Sequence, residues 1–269
     1  MNSERAIRIP FCSFLAVLSG VVTGVGADIT TNLTSIADSS IHVFSPDSNF
    51  GTDFTMAAGD TSTTGNNEVR RALVAFNLAG NIPPGATITS ASLQLTVTKA
   101  PALAANSTFD LRRLLKPWDE LSVTWNSAST GTTWEQAGAT GASDSASSAS
   151  STVFVSGVGT YVFPSTPDLV ADVQAAVDGS APSSSWLLMS ENEGTLKTAR
   201  QFGTHDDTFN PQNAPVLTVT YTTVTPPPPT NPPVLTQLAI VAGQFQFSFN
   251  AQSNLTYVVE SRPDAAGGT

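Results

Sequence analysis

Cysteine is almost absent from this 269-residue chain, and its single cysteine, Cys12, lies in the first apolar segment. If that segment is removed, the remaining chain has no thiol, which excludes disulfide bonds and cysteine-based metal sites. A fold without such cross-links must be stabilised by a packed core. A domain of about 200 residues is long enough to bury one.

Basic residues are also scarce, since 11 Lys and Arg stand against 21 Asp and Glu and give a net charge of −10. Removing Glu4, Arg5 and Arg8 with the first segment leaves 9 basic and 20 acidic residues, a net charge of −11. The remaining cations are scattered and form no basic stripe, which excludes nucleic acid as a partner.

Long hydrophobic runs are missing, because none reaches the roughly 20 residues that span a bilayer. The longest, residues 11–25, follows Arg5 and Arg8 and precedes Gly26-Ala27. A positive start, an apolar centre and small residues at the end are typical of a secretion signal. We therefore predict a signal peptide over residues 1–27, cleavage before Asp28, and a secreted or cell-surface protein with no membrane segment in its mature form.

Short alternating runs, separated by clusters of Gly, Pro, Asn and Asp, follow from residue 28 to residue 222. This pattern is typical of an all-β sandwich or barrel. In the run 91–98, Leu93, Leu95 and Val97 share one face and polar residues share the other, which predicts a half-buried strand. The clearest runs are residues 40–44, 72–78, 91–98, 109–115 and 216–221.

One helix is predicted within this β pattern. Thr166 can cap its start, Pro167 suits the first helical position, and Gly179 suits a left-handed stop. The apolar stripe between them, which includes Leu169 and Val173, predicts a helix that packs against the sandwich and takes no part in catalysis.

Three further segments define the predicted organisation. Residues 142–151 are nearly all Ser and Ala, which predicts a mobile loop. Residues 223–233 are rich in proline, which predicts an extended linker. The runs 235–241, 244–250 and 256–261 predict the start of a second β-rich, fibronectin-like domain over residues 234–269. This piece is too small to fold alone, so we expect a longer protein with downstream domains.

An ordered series of motifs resembles the DNRLRE domain, which is also classed as carbohydrate-binding module family 96. The series runs through nearly all of residues 28–222 in the family's order. Its members are DSNFG (47–51), RALVAFNL (71–78), IPPGATI (82–88), SASLQL (90–95), WDE (118–120), VTWN (123–126), VDG (177–179), WLLM (186–189) and PVLTVTY (215–221).

The resemblance implies a jelly-roll-like antiparallel β-sandwich, secretion, and a place in a larger extracellular or cell-surface protein. It also implies binding of an acidic polysaccharide such as alginate. The chain departs from the family pattern at Asn77, where the family commonly has Asp. The family's Arg-Glu signature before the last strand is likewise not recognisable around residues 200–202.

No sequence motif for catalysis is present, because the chain has no phosphate loop, nucleophile elbow or zinc-binding helix. The adjacent pair Asp119-Glu120 would point to opposite faces of an extended chain. We therefore predict a non-catalytic module within the residues present and leave any catalytic domain to residues beyond Thr269. The first alternative is a structural or adhesive surface spacer with no sugar site. A less favoured alternative is a polysaccharide lyase, whose catalytic residues would be drawn from His205, Tyr161, Arg200 and Lys197.

Sugar binding requires flat aromatic faces and, for an acidic sugar, a cation. Trp134 lies in a polar loop and is the predicted exposed platform, whereas the other three tryptophans, in family-like strand motifs, are predicted to be core. The predicted contacts to a sugar carboxylate are Arg71, Lys197 and Arg200.

Oxygen donors cluster in two polar loops, residues 47–53 and 205–207. Such loops can hold a structural calcium ion, so Asp206 and Asp207 are the candidate ligands. Asp and Asn also bond their own backbone in turns, and that alternative is favoured for both clusters.

Overall fold

The computed structural model describes residues 3–10, 26–65, 68–181, 184–223, 234–242 and 244–251. The chain divides into a larger unit, Gly26–Val224, and a smaller one made of Met1–Val25 and Thr225–Thr269. The elements in the described ranges are β1 (Ser3–Pro10), β2 (Ile29–Thr34), β3 (Ala37–His42), β4 (Thr55–Asp60), β5 (Val69–Ala75), β6 (Thr87–Lys99), β7 (Ser107–Arg113), β8 (Ser127–Ser129), β9 (Thr132–Thr133), β10 (Ser151–Val155), β11 (Gly159–Phe163), α1 (Pro167–Val177), β12 (Ser185–Ser190), β13 (Arg200–Gly203), a 3₁₀ turn (Pro211–Asn213), β14 (Val216–Thr222), β15 (Thr236–Val241) and β16 (Gln244–Ala251).

Eleven strands of the larger unit form one curled antiparallel sheet with two halves. The first half has the order β10-β7-β12-β5-β3, and the second contains β13, β6, β14 and β2, with β11 also paired to β6. Phe109 of β7 contacts Phe202 of β13, with ring centroids 5.7 Å apart, so the halves pack face to face. The predicted all-β sandwich with one short helix is confirmed.

Strand β4 connects the two halves. Its first residues pair with β13, whereas Gly59 and Asp60 pair with β5. The chain turns at Gly59, which has φ of +104°, and a Cβ there would stand 2.6 Å from the Cα of Ala199. Only glycine adopts this conformation readily and permits so close an approach.

The main core fills the space between the halves. On β6 the inward residues Leu93, Leu95 and Val97 are fully buried, as the alternating pattern predicted. Helix α1 closes this core with Leu169 and Val173. The Oγ1 atom of Thr166 accepts a hydrogen bond from the Leu169 amide at 3.0 Å, which confirms the predicted N-cap.

A second core lies on the outer side of the first half-sheet. There Leu73 of β5 and Leu187 of β12 pack against Trp125 and Trp134, which belong to the segment 115–146. We call this segment the cover. Because it lies over the outer face, all six residues of β12 are buried.

Half of the Ser- and Ala-rich stretch 142–151 belongs to the cover, and where a mobile loop was predicted the structure has a hydrogen-bonded, partly buried segment. Asp144 is fully buried and accepts hydrogen bonds from the backbone amides of Glu135, Gln136 and Gly141. Its carboxylate also stands 2.6 Å from the ammonium group of Lys116. One buried acidic side chain therefore orders a stretch whose composition alone suggests flexibility.

The outer side of the second half-sheet carries hydroxyl and amide side chains and no charge at its central positions. Cross-strand hydrogen bonds join Thr30 to Thr220 and Thr218 to Asn32. We call this surface the uncharged face. Its outward residues are Thr30, Asn32, Thr34, Ser90, Ser92, Gln94, Thr96, Thr98, Thr160, Val162, Val216, Thr218 and Thr220.

The smaller unit contains an antiparallel sheet of order β1-β16-β15. Phe247 and Phe249 are buried in it. Strand β1 lies in the segment that the sequence assigns to a signal peptide, and the run 256–261 and most of the proline-rich linker lie outside the described residues. The signal peptide, the linker and the second domain therefore stay predictions. Among the described residues, no helix has the length and apolar character needed to cross a lipid bilayer.

Candidate functional site

Trp134 is buried, so the prediction that it forms an exposed platform is wrong. Only 4% of its surface is accessible, and its indole nitrogen donates a hydrogen bond to the Thr124 carbonyl at 3.0 Å. The polar residues beside it point outward while Trp134 points into the second core. Trp125 and Trp186 are buried as predicted, and Trp118 packs against the same core.

Arg71 is also covered, which closes it to the predicted contact with a sugar carboxylate. Its guanidinium forms two hydrogen bonds to the carboxylate of Glu193, at 2.8 and 2.7 Å, and lies 4.8 Å from the ring of Trp125. It also donates to the carbonyl oxygen of Gly138. Its contacts with Gly138 and Trp125 fasten the cover to β5, while the ion pair with Glu193 holds the loop after β12.

Arg200 is likewise buried, so the prediction that it contacts a ligand is wrong. Its guanidinium donates to backbone carbonyls, among them those of Thr198 and Ala105 at 2.9 Å. Lys197 is only partly exposed and has φ of +62°. Its carbonyl oxygen accepts from the amide of Ala105, so its backbone belongs to the same anchoring network.

Asp206 and Asp207 point to different partners. The Asp207 carboxylate accepts hydrogen bonds from the amides of Phe209 and Asn210, which is ordinary turn chemistry. Asp206 instead joins Asp38, Glu120 and His205, and one ligand-type atom from each of these four lies within 4.8 Å of the others. We call these four residues the carboxylate–histidine cluster.

The imidazole of His205 is the positive charge of this cluster. Its Nδ1 atom stands 3.1 Å from Oδ2 of Asp38, and this hydrogen bond, with the charges of three carboxylates, raises the pKa of His205 to about 9. Burial raises the pKa of the Glu120 carboxyl. Three carboxylates would suit calcium, and the protonated imidazole is their counter-ion when no metal is bound. Because the Asp207 carboxylate is bonded within its own turn, the predicted ligands Asp206 and Asp207 do not share one site, and calcium stays a prediction.

An exposed phenylalanine, Phe209, follows this cluster along the chain, and a second one, Phe54, contacts it from the residue before β4. Phe209 is 78% exposed and Phe54 is 50% exposed, and their rings meet edge to face with centroids 5.9 Å apart. Both backbones are fixed, since Thr204 donates to the carbonyl of Asp53 at 2.8 Å and Asp207 binds the amide of Phe209. We call this surface the Phe54–Phe209 pair.

A third exposed ring, that of Phe44, stands beside an arginine just after the end of β3. Phe44 is 48% exposed, and the guanidinium carbon of Arg70 lies 5.0 Å from its ring centroid. His42 stacks on Phe50 at 3.9 Å, and burial, together with the charge of Arg70, lowers the pKa of His42 to about 3. The imidazole is therefore neutral, and Arg70 is the local cation.

The profile of carbohydrate-binding module family 96 matches residues 29–221. The chain belongs to this family. No curated protein matches the chain. The resemblance seen in the sequence motifs is thereby confirmed, and the larger unit is a carbohydrate-binding module of family 96.

The family 96 module brings together part of the set of the lyase alternative, because Tyr161 and Arg200 lie close enough for their charges to interact. The hydroxyl of Tyr161 is bonded to the turn at Ser156 and Gly157. The ionic contacts of His205 within the described residues go to the carboxylate–histidine cluster. Arg200 is buried and bonded to carbonyls, so its guanidinium is closed to a substrate carboxylate.

Sequence reasoning missed the exposed rings of this module. Phe44, Phe54 and Phe209 all stand in loops that adjoin strand ends, in stretches rich in Asp, Asn and Ser. A phenylalanine among turn-forming residues, outside any alternating run, is the signal that could have identified Phe54 and Phe209, whereas Phe44 ends the predicted run 40–44. That signal is weak, because an isolated exposed apolar residue is common on protein surfaces.

Proposed function

We propose that this chain is a secreted, non-catalytic module that binds an acidic polysaccharide within a larger extracellular protein. Family membership supports carbohydrate binding. The predicted signal peptide supports export, and the proline-rich segment with the strands after it supports a multidomain protein. The observation that carries acidic specificity is the contact between Arg70 and Phe44.

Arg70 is the one arginine, among those whose side chains the structure describes, that forms neither a close ion pair nor a hydrogen bond to a carbonyl, although the charge of Glu68 still acts on its guanidinium. Its nearest acidic neighbour along the strand, Glu68, instead accepts a hydrogen bond from Thr61 at 2.8 Å. The other cations of the larger unit with close partners are Arg71, Arg112, Arg113 and Lys116, which face carboxylates at 3.4 Å or less, and Arg200, which is bonded to carbonyls.

The pair suits a uronic acid. A guanidinium binds a carboxylate through two parallel hydrogen bonds, while the phenyl ring offers an apolar face to the C–H groups of the sugar ring. Because His42 is neutral, it adds no second charge and leaves recognition of the anion to Arg70. The net charge of −10 repels a polyanion at long range, so binding depends on this local cation.

The test is calorimetric titration of the full 269-residue chain with alginate and polygalacturonate. Arg70→Ala is expected to weaken binding about tenfold or more, which corresponds to roughly 1.4 kcal/mol. Arg112→Ala is the matched control, since Arg112 is partly exposed but paired with Asp110. Its affinity is expected to stay within about twofold of the unmodified chain.

Three outcomes would replace the proposal. Equal binding by Arg70→Ala and the unmodified chain would remove Arg70 from the site. Failure to bind either polyuronate would favour a structural or adhesive spacer. A rise in ultraviolet absorbance from unsaturated sugar ends would identify a lyase.

A further inference from the structure

The Phe54–Phe209 pair has features of a binding surface that the Arg70 site does not explain. Phe209 stands largely in water and Phe54 is half exposed, although burial of a phenylalanine is favourable. Their backbones are fixed by side-chain hydrogen bonds, as described above, so the rings are presented in one arrangement. A preorganised aromatic surface loses little conformational entropy when it binds a ligand.

An unsatisfied hydrogen-bond acceptor lies in the same turn. The carboxylate of Asp206 accepts no hydrogen bond from the described residues, and its Oδ2 atom is buried without a partner. Its contact with His205 is long, at 3.8 Å between Oδ1 and Nε2. The Oδ2 atom is out of a ligand's reach, but Oδ1 is not buried and the Asp206 side chain is 31% exposed. A hydroxyl group is the uncharged donor that could bind to Oδ1.

The charge of the neighbouring cluster indicates which sugar fits. Three carboxylates face one imidazolium, so the carboxylate–histidine cluster is negative overall. A sugar carboxylate placed there would be repelled, whereas the hydroxyl groups of an uncharged sugar would find acceptors. This preference is opposite to that of the Arg70 site.

We propose that the Phe54–Phe209 pair is a second sugar-binding surface that stacks on an uncharged pyranose ring, with Asp206 accepting a hydrogen bond from a sugar hydroxyl. The inference rests on the proposed function of polysaccharide binding. It adds a neutral-sugar subsite, so that one module contacts acidic and uncharged sugars at separate places.

The test uses three neutral hexasaccharides, those of cellulose, mannan and xylan, titrated into the full chain by calorimetry. At least one is expected to bind, and Phe209→Ala is expected to weaken that binding about tenfold, whereas Phe209→Trp retains it. Phe154→Ala is the matched control, because Phe154 is also exposed, at 59%, and lies on β10 outside the pair. It is expected to change the affinity by less than about twofold.

The two proposals fail separately. Absence of binding to all three hexasaccharides, or equal binding by Phe209→Ala and the unmodified chain, would overturn the second surface. Neither result depends on alginate or on Arg70. Conversely, Arg70→Ala is expected to keep its affinity for the neutral hexasaccharide, and a matching loss there would show one shared site and overturn the inference.

Discussion

At the scale of single residues, His205 shows how a buried acidic cluster can be neutralised from within. Its imidazole stands between Asp38 and Asp206, and the backbone amide of Asp38 donates to Glu120 at 2.6 Å. Without a positive charge, three carboxylates so close together would repel one another and stay partly protonated. The protonated ring is therefore part of what holds β3 to the loop after β13.

The free energy of unfolding is expected to fall as the pH rises and His205 loses its proton. The folded-state pKa of about 9 lies above the usual pKa of 6.5, so the contribution is complete below pH 6.5 and lost as pH rises through 9. Urea unfolding from pH 6 to 10 should show a loss on the order of 2 kcal/mol, which is less than the full shift implies because solvent screens the partly exposed ring. His205→Gln should lack this component, and parallel profiles for the two proteins would contradict the assignment.

Trp134 is expected to matter for stability and not for direct contact with sugar. Trp134→Ala removes a buried indole and leaves the Thr124 carbonyl without its donor, so urea denaturation should show a loss of about 3–5 kcal/mol. Phe209→Ala, which truncates an exposed ring, should cost about 0.5 kcal/mol or less. Equal losses for the two variants would contradict the burial of Trp134.

At the scale of elements, the cover determines the role of several side chains. Asp144 orders its backbone and Arg71 fastens it to the sheet, while Trp125 and Trp134 fill the space between. Each of these residues would be a plausible ligand contact on a bare sheet. Under the cover they are structural, because the surfaces that a ligand would need are already in contact with protein.

The corner of β4 is expected to be intolerant of a side chain. Gly59→Ala places a Cβ at a positive φ and against the backbone of Ala199, which should cost more than about 2 kcal/mol. Gly157→Ala is the control, since a Cβ there meets nothing within 4 Å. Thermal unfolding of both variants provides the measurement, and a Gly59→Ala protein as stable as the control would refute the strain.

Elements with a local signal could be predicted from the sequence, whereas the site could not. Strand β6 is predicted by the alternation of apolar and polar residues, and helix α1 by its capping residues and its apolar stripe. These signals involve only residues that are neighbours in the chain. The burial of Trp134 and the exposure of Phe209 depend on how distant segments fold over one another. Arg70 and Arg71 are adjacent in sequence, yet only the guanidinium of Arg71 is bonded to the cover, at Gly138, and to a carboxylate, that of Glu193.

At the scale of the whole molecule, the larger unit contains its own core and its own helix. Both hydrophobic clusters lie entirely within Gly26–Val224. A separate core is the usual condition for independent folding. The proposed sugar contacts also lie within this unit, at loops that adjoin the ends of its strands.

A protein of residues 26–224 is therefore expected to fold alone. Its main calorimetric transition should lie within about 3 °C of the corresponding transition in the full chain. A shifted or non-cooperative transition would show that the smaller unit contributes to the stability of the module.

The uncharged face has a consequence for how the module would approach the proposed acidic polysaccharide. The charged side chains of the larger unit lie away from this face, so the charge of that unit is unevenly distributed. An anion whose charge is unevenly distributed experiences a torque near a negatively charged fibre, and this torque turns its uncharged side towards the fibre. The rows of threonine and serine hydroxyls would then lead each diffusional encounter, and they would set the approach angle before any sugar reached a binding site.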